Sequence, residues 1–156
     1  MRIRILAVGQ KMPKWVIQTF NEYNNRLNKN QKVSLKEIAP VHRSKSMSSE
    51  KAKSIEGTNI LSALNPNEKI VLLDEKGQSI STKYLSQSIQ KWQMNAINIA
   101  IVIGGADGVS DEIKQNAYKQ WSVSQLTFPH PLVRVILMEQ IYRAYSLIAN
   151  HPYHRE

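Results

Sequence analysis

Residues 97–108 read Ile97-Asn98-Ile99-Ala100-Ile101-Val102-Ile103-Gly104-Gly105-Ala106-Asp107-Gly108. The first seven are an apolar run with one polar interruption, the pattern of a central strand covered on both faces. The glycines that follow end the strand at once. Glycine there lets a ligand come close to the backbone and lets exposed N–H groups face an anion or a ring edge. A tight strand-to-helix turn needs the same residues, and spacing alone leaves both readings open. The run is not G-x-G-x-x-G, and no Gly-Lys-Ser/Thr phosphate loop is present.

Outward from this segment, strands and helices alternate. Strands are expected at 3–9, closed by Gly9, and at 32–38, 69–74, 97–103 and 120–126. Helices are expected at 13–28, with Pro13 in the first turn, at 50–64 after a Ser48 or Ser49 cap, from Ser81 or Thr82 to 94, at 110–118, and over 132–150. Trp15, Val16, Phe20, Tyr23 and Leu27 hold helical spacing on the first helix. Gly77 is expected to turn the chain, and 39–50 reads as a mobile, polar, basic loop. The order argues for an α/β sandwich: a mainly parallel sheet with helices on both faces.

The chain has 156 residues, read as one domain with a real core, and 42% of them are hydrophobic. The absence of cysteine excludes a disulfide framework, thiolate catalysis and Cys-ligated metal sites. The N-terminus lacks a signal-peptide pattern, and no segment reaches the roughly 18 apolar residues of a membrane span. A soluble, cytoplasmic protein is expected. The net charge is +9, with twelve Lys/Arg against four Asp/Glu in residues 1–60 and nine against eight in the remainder. A basic half joined to a near-neutral half points to an anionic partner such as nucleic acid.

Ligands of open α/β sheets sit beyond the carboxyl ends of the strands. The candidate ends are Leu72-Leu73-Asp74, Ile103-Gly104-Gly105 and Gln125-Leu126-Thr127-Phe128. Leu73 and Phe128 could sandwich a flat ring while backbone groups read its edge, although from the residues alone core packing is the favoured reading of Leu73. His130, between Pro129 and Pro131, suits an orienting role or a purely structural one. His151 and His154 lack a third ligand, so no metal is expected. Glu139 and Arg143 read as a helix-stabilising pair.

The last helix is apolar almost all round and must bury two faces. The tail behind it, Tyr153-His154-Arg155, carries a stacking ring, a titratable imidazole and a phosphate-binding guanidinium.

Five stretches resemble one family in order and spacing: Ile3–Gly9 with Lys11-Met12-Pro13, Val71–Asp74, Ile103–Gly105, Ser122–His130, and Arg134 through Tyr153-His154-Arg155-Glu156. They are similar to the trefoil-knotted (SPOUT) methyltransferases, and among these to the bacterial enzymes that methylate N3 of a pseudouridine in large-subunit (23S) ribosomal RNA. Residues 40–55 match least, and nothing is carried over there. The resemblance implies a C-terminal trefoil knot, a homodimer and S-adenosylmethionine (S-adenosyl-L-methionine) as cofactor. It implies cofactor contacts at Leu73, Gly104, Val123, Ser124, Gln125, Leu126, Thr127 and Phe128. Catalysis is expected from the tail, with His154 or a water it holds taking the N3 proton and Tyr153 and Arg155 gripping the nucleotide. The substrate would be ribosomal RNA in the assembled ribosome, whose architecture would supply the specificity. A non-catalytic RNA-binding or ribosome-associated module is the alternative; it leaves the glycine run without a reason.

Overall fold

The computed structural model describes residues 1–153. Five strands form one sheet: β1 (Ile3–Val8), β2 (Ser34–Ile38), β3 (Glu68–Ser79), β4 (Asn98–Ile103) and β5 (Ala117–Ser122). Their order is β2-β1-β4-β3-β5, and every neighbouring pair is parallel. The helices are α1 (Lys14–Arg26), α2 (Ser49–Ala63), α3 (Thr82–Met94), α4 (Asp111–Asn116) and α5 (His130–Ile148).

Strand alternation sends side chains to two cores. Ile3, Ile5, Ala7, Val71, Ile99, Ile101 and Ile103 face α1, α3 and α5, where Phe20, Ile89, Trp92, Met138 and Ile141 cover them. Leu6, Val8, Ile70, Leu72, Ala100 and Val102 face α2 and α4, through Ile60 and Ile113. Helices therefore cover both faces, as the apolar run 97–103 requires. On α1, Val16 and Phe20 are buried but Trp15 is half exposed, so the apolar stripe is narrower than its spacing suggested.

Several boundaries differ from the sequence expectation. Strand β3 runs on to Ser79, and Gly77 does not turn the chain. Gly77 is needed because β5 passes directly over it: a Cβ there would lie 2.7 Å from the Trp121 carbonyl carbon and 2.8 Å from Gln120 O. The ladder is interrupted by a bulge between Leu73 and Gln78, both of which pair with Trp121.

Strand β5 ends at Ser122, not near 126, and starts earlier because α4 stops at Asn116. Beyond it, side chains satisfy the backbone in place of a ladder. Ser122 Oγ donates to Ser124 O (2.8 Å), and Leu126 N donates to Ser124 Oγ (2.9 Å).

Helix α5 begins at His130, with Pro129 as its N-cap and Pro131 in the first turn. Its inner face buries Leu137, Met138, Ile141, Ala144 and Tyr145. Leu132, Val135, Ile136 and Leu147 are left partly exposed. Among the described residues, no helix is long and apolar enough to cross a membrane.

Candidate donor cleft at the carboxyl ends of three strands

The chain passes from β4 to β5 across β3, and the carboxyl ends of β4 and β5 with the bulge of β3 enclose a cleft of about 590 Å³. Three segments line it: Leu73 to Lys76, Ile103 to Val109, and Trp121 to Phe128 with Gln125 left out. Of the expected cofactor residues, Leu73, Gly104, Val123, Ser124, Leu126, Thr127 and Phe128 come together here. Gln125 is exposed and is not among the lining residues.

Each wall has a local cause. The β3 bulge moves Asp74, Glu75 and Lys76 out of the ladder, and Lys76 N donates to Asp74 Oδ1 at 3.0 Å, an Asx turn that holds the bulge. The glycine segment closes on itself, Gly108 N donating to Gly105 O at 3.0 Å with Gly108 at φ +82°. A Cβ on Gly104 would come within 2.7 Å of Val109 Cγ1 and 3.1 Å of the Gly108 carbonyl, so only glycine fits. The third wall needs no sheet partner because Ser122 and Ser124 brace it. Leu126, 70% exposed, is an apolar side chain offered at the mouth.

His130 and Val133 of α5 form the floor. Burial and then the nearby Arg134 charge hold the His130 imidazole below its usual range, with the Gly104 backbone partly opposing them. Its Nε2 is buried without a hydrogen-bond partner, facing Gly9. The residue is a neutral ring wedged between the ends of β1 and β4. Arg134 is 1% exposed; it donates to Glu37 Oε2 (2.6 Å) and Gly9 O (2.9 Å), so α5 is bolted to β1 and β2.

Tyr153 lies elsewhere. Its hydroxyl donates to Glu139 Oε1 at 3.0 Å, its ring meets Tyr142 edge-on at 4.6 Å, and the Arg143 guanidinium sits 5.0 Å over it. Burial, then hydrogen bonding with Tyr23 and Glu139, raises its phenol above the usual range. The expected Glu139–Arg143 pair is present (2.7 Å) and serves as the seat of this ring. His154 and Arg155, two of the three expected catalytic residues, lie outside the described residues. No group of three His, Asp or Glu side chains among the described residues could hold a metal ion.

Sequence reading missed one feature of the site. Arg43, in the basic 39–48 stretch, reaches Asp107 in the glycine segment and Glu56 in α2. No local pattern marks these residues: Arg43 and Asp107 are 64 positions apart.

Comparison with known proteins places this geometry. A family model described as "Predicted SPOUT methyltransferase" matches residues 1–154. The ribosomal RNA large subunit methyltransferase H of Hahella chejuensis is 46% identical over 156 residues, covering 100% of both chains. The protein of the same name from Methylococcus capsulatus is 43% identical over 155 residues, covering 99% of this chain and 100% of its own. A solved structure from Haemophilus influenzae, described as a "probable methylase family protein", superposes with a TM-score of 0.55 over 99% of this chain and 70% of that one. At 11% identity that likeness speaks for the fold alone. A parallel sheet with a glycine-walled cleft, a family match over nearly all residues and full-length relatives above 40% identity converge on one conclusion: the chain belongs to the SPOUT methyltransferases.

Proposed function

We propose that the chain transfers the methyl group of S-adenosylmethionine to N3 of a pseudouridine in large-subunit (23S) ribosomal RNA, acting as a cytoplasmic homodimer on the assembled ribosome. The observation that carries this reading is the three-walled cleft, found in a chain whose full-length relatives are named for methylating large-subunit ribosomal RNA. The basic first half adds to it, because neutralising phosphates is the main source of affinity for RNA. The passage of the chain over β3 between β4 and β5 is consistent with the trefoil-knotted backbone of the family.

The residues present fit an adenosyl donor. About 590 Å³ lies in the usual range for small-ligand sites, roughly 300–1,000 Å³. Gly104 offers bare backbone to the cleft, and a Cβ there would collide with Val109 and Gly108 of the same wall. Leu73 and Phe128 would take the two faces of the ring. Backbone groups of Gly104 and of Val123, Ser124, Leu126 and Thr127 would read its edge. The bound donor would supply an activated methyl on sulfur. The chain's task is to aim the nucleotide N3 at it and to take the N3 proton as the new C–N bond forms and the C–S bond breaks. In this reading His154, or a water it holds, accepts the proton, and Tyr153 and Arg155 hold the nucleotide.

Placement of the tail favours a shared site. His130 marks the cleft, and Glu139, where Tyr153 is seated, is about 14 Å further along α5 at 1.5 Å per residue. A tail seated there is suited to the cleft of a second copy packed on the outer face of α5, where Leu132, Val135, Ile136 and Leu147 remain partly exposed.

The test uses purified protein, S-adenosylmethionine, and large subunits from a strain lacking the gene. Mass spectrometry of the digested RNA should find one added methyl on one pseudouridine. Donor binding without any methylated nucleotide would overturn the substrate assignment. Absence of donor binding in a calorimeter would overturn the whole reading.

A further inference from the structure

We propose that Arg43 is a positioning residue for methyl transfer: by joining Glu56 to Asp107 it clamps the glycine segment 104–108 in the shape that receives the donor. The proposal rests on the reading of the cleft as the donor site. It assigns a role to the basic 40–55 stretch, on which the family resemblance carries nothing over.

The guanidinium spends its donors on three partners. Nη1 donates to Val41 O (2.6 Å) and Glu56 Oε2 (2.7 Å), Nη2 to Glu56 Oε1 (3.1 Å), and Nε to Asp107 Oδ2 (2.9 Å). Val41 N also donates to Glu56 Oε2 at 2.8 Å. Glu56 is 2% exposed, and a carboxylate so buried is tolerable only when paired. The fork of Arg43 is thus committed to α2 on one side and to a residue lining the cleft on the other.

Helix α2 braces the glycine segment at two points. Glu56 lies beneath Gly105, whose added Cβ would be 3.7 Å from Oε1. The next residue, Gly57, is in contact with Ser110: a Cβ there would fall 2.4 Å from Ser110 Oγ, the hydroxyl that caps α4. Between these points, among the described residues, only Asp107 ties the tip of the segment to the body of the protein through a side-chain bond. The Arg43–Asp107 pair is itself partly exposed, and such a pair adds little to folding. Its effect falls on the shape of the segment. A donor that must first order a loosened loop binds more weakly, yet reacts normally once bound.

Two variants separate this from a general loss of stability. Arg43→Lys keeps the charge but cannot reproduce the bidentate grip on Glu56 together with the bond to Asp107, because an ammonium lacks the planar fork. Asp107→Ala removes only the exposed end and leaves Glu56 paired. Each should raise the KM for S-adenosylmethionine, and its calorimetric Kd, about tenfold, with kcat at saturating donor within about twofold of wild type. The urea midpoint of Asp107→Ala should be unchanged. Donor affinity equal to wild type in Asp107→Ala would overturn the clamp, as would a fall in kcat with KM unmoved. Wild-type protein that binds no donor would instead overturn the site reading, so the two failures are distinguishable.

Discussion

Arg134 Nη1 donates to Glu37 Oε2 at 2.6 Å, joining the N-terminal part of α5 to β2 across 97 positions of sequence. The two ends of this bond are not equivalent. Arg134 is 1% exposed, whereas the Glu37 side chain is 37% exposed. Removing Glu37 strands a buried cation with only the Gly9 carbonyl; removing Arg134 leaves a carboxylate that water can reach. Glu37→Ala should therefore cost about 3 kcal/mol, and Arg134→Met, which fills the space with an apolar side chain, clearly less. Urea midpoints decide it; equal losses would mean the charge is not what the pair protects.

Two glycines should fail in different ways. A methyl on Gly77 strikes β5 backbone that cannot swing aside, so Gly77→Ala should destabilise by about 1–3 kcal/mol. For a chain of this size that lowers the thermal midpoint by roughly 2–4 °C per kcal/mol. A methyl on Gly104 strikes Val109 and the Gly108 carbonyl, so the glycine segment that lines the cleft must shift. Gly104→Ala should lose donor affinity by more than tenfold while most stability is kept. Calorimetry and thermal melting on the same two proteins would expose a reversal.

His130 should make the fold sensitive to acid. Its folded-state pKa lies below the ordinary 6.5, through burial and then Arg134. Below 6.5 the unfolded chain takes up a proton that the folded ring resists, so stability falls as pH drops toward the folded value; above 6.5 the group contributes no slope. His130→Gln should lack this step. Urea titrations between roughly pH 5 and 8 would show it as a narrowing gap between wild type and variant at the acid end. Parallel curves would remove His130 from the account.

Deleting residues 153–156 should abolish methylation of ribosomal RNA and leave donor binding intact, because Tyr153 sits on α5 and not among the cleft residues. Mixing the truncated protein with the full-length Gly104→Ala variant, at a donor concentration too low for that variant to act alone, should restore part of the activity if tails serve the partner's cleft. Full activity in the truncated protein would take the tail out of the mechanism.

The alternation of apolar runs with helical stripes announced five strands, five helices and a parallel arrangement, because both signals are local. The same local signals marked the glycine segment and Leu126, Thr127 and Phe128 as one edge, because the carboxyl ends of parallel strands point one way, whereas Val123 and Ser124 came only from the family resemblance. Local signals misplaced β5 because the stop at Ser122 depends on Ser124 folding back to satisfy it. They also misread Gly77, whose need for a bare Cα comes from β5 lying over it.

From the order of residues alone, then, came the sandwich of helices around a parallel sheet and the edge at which a ligand would sit. Short-range periodicity and glycine placement carry that information. Folding alone decided that Arg134 is buried, that Arg43 reaches a cleft it follows nowhere in the chain, and that Tyr153 docks on Glu139. Those contacts join residues that no repeat or spacing relates, and their strength comes from the loss of water around charges that only the packed molecule brings together.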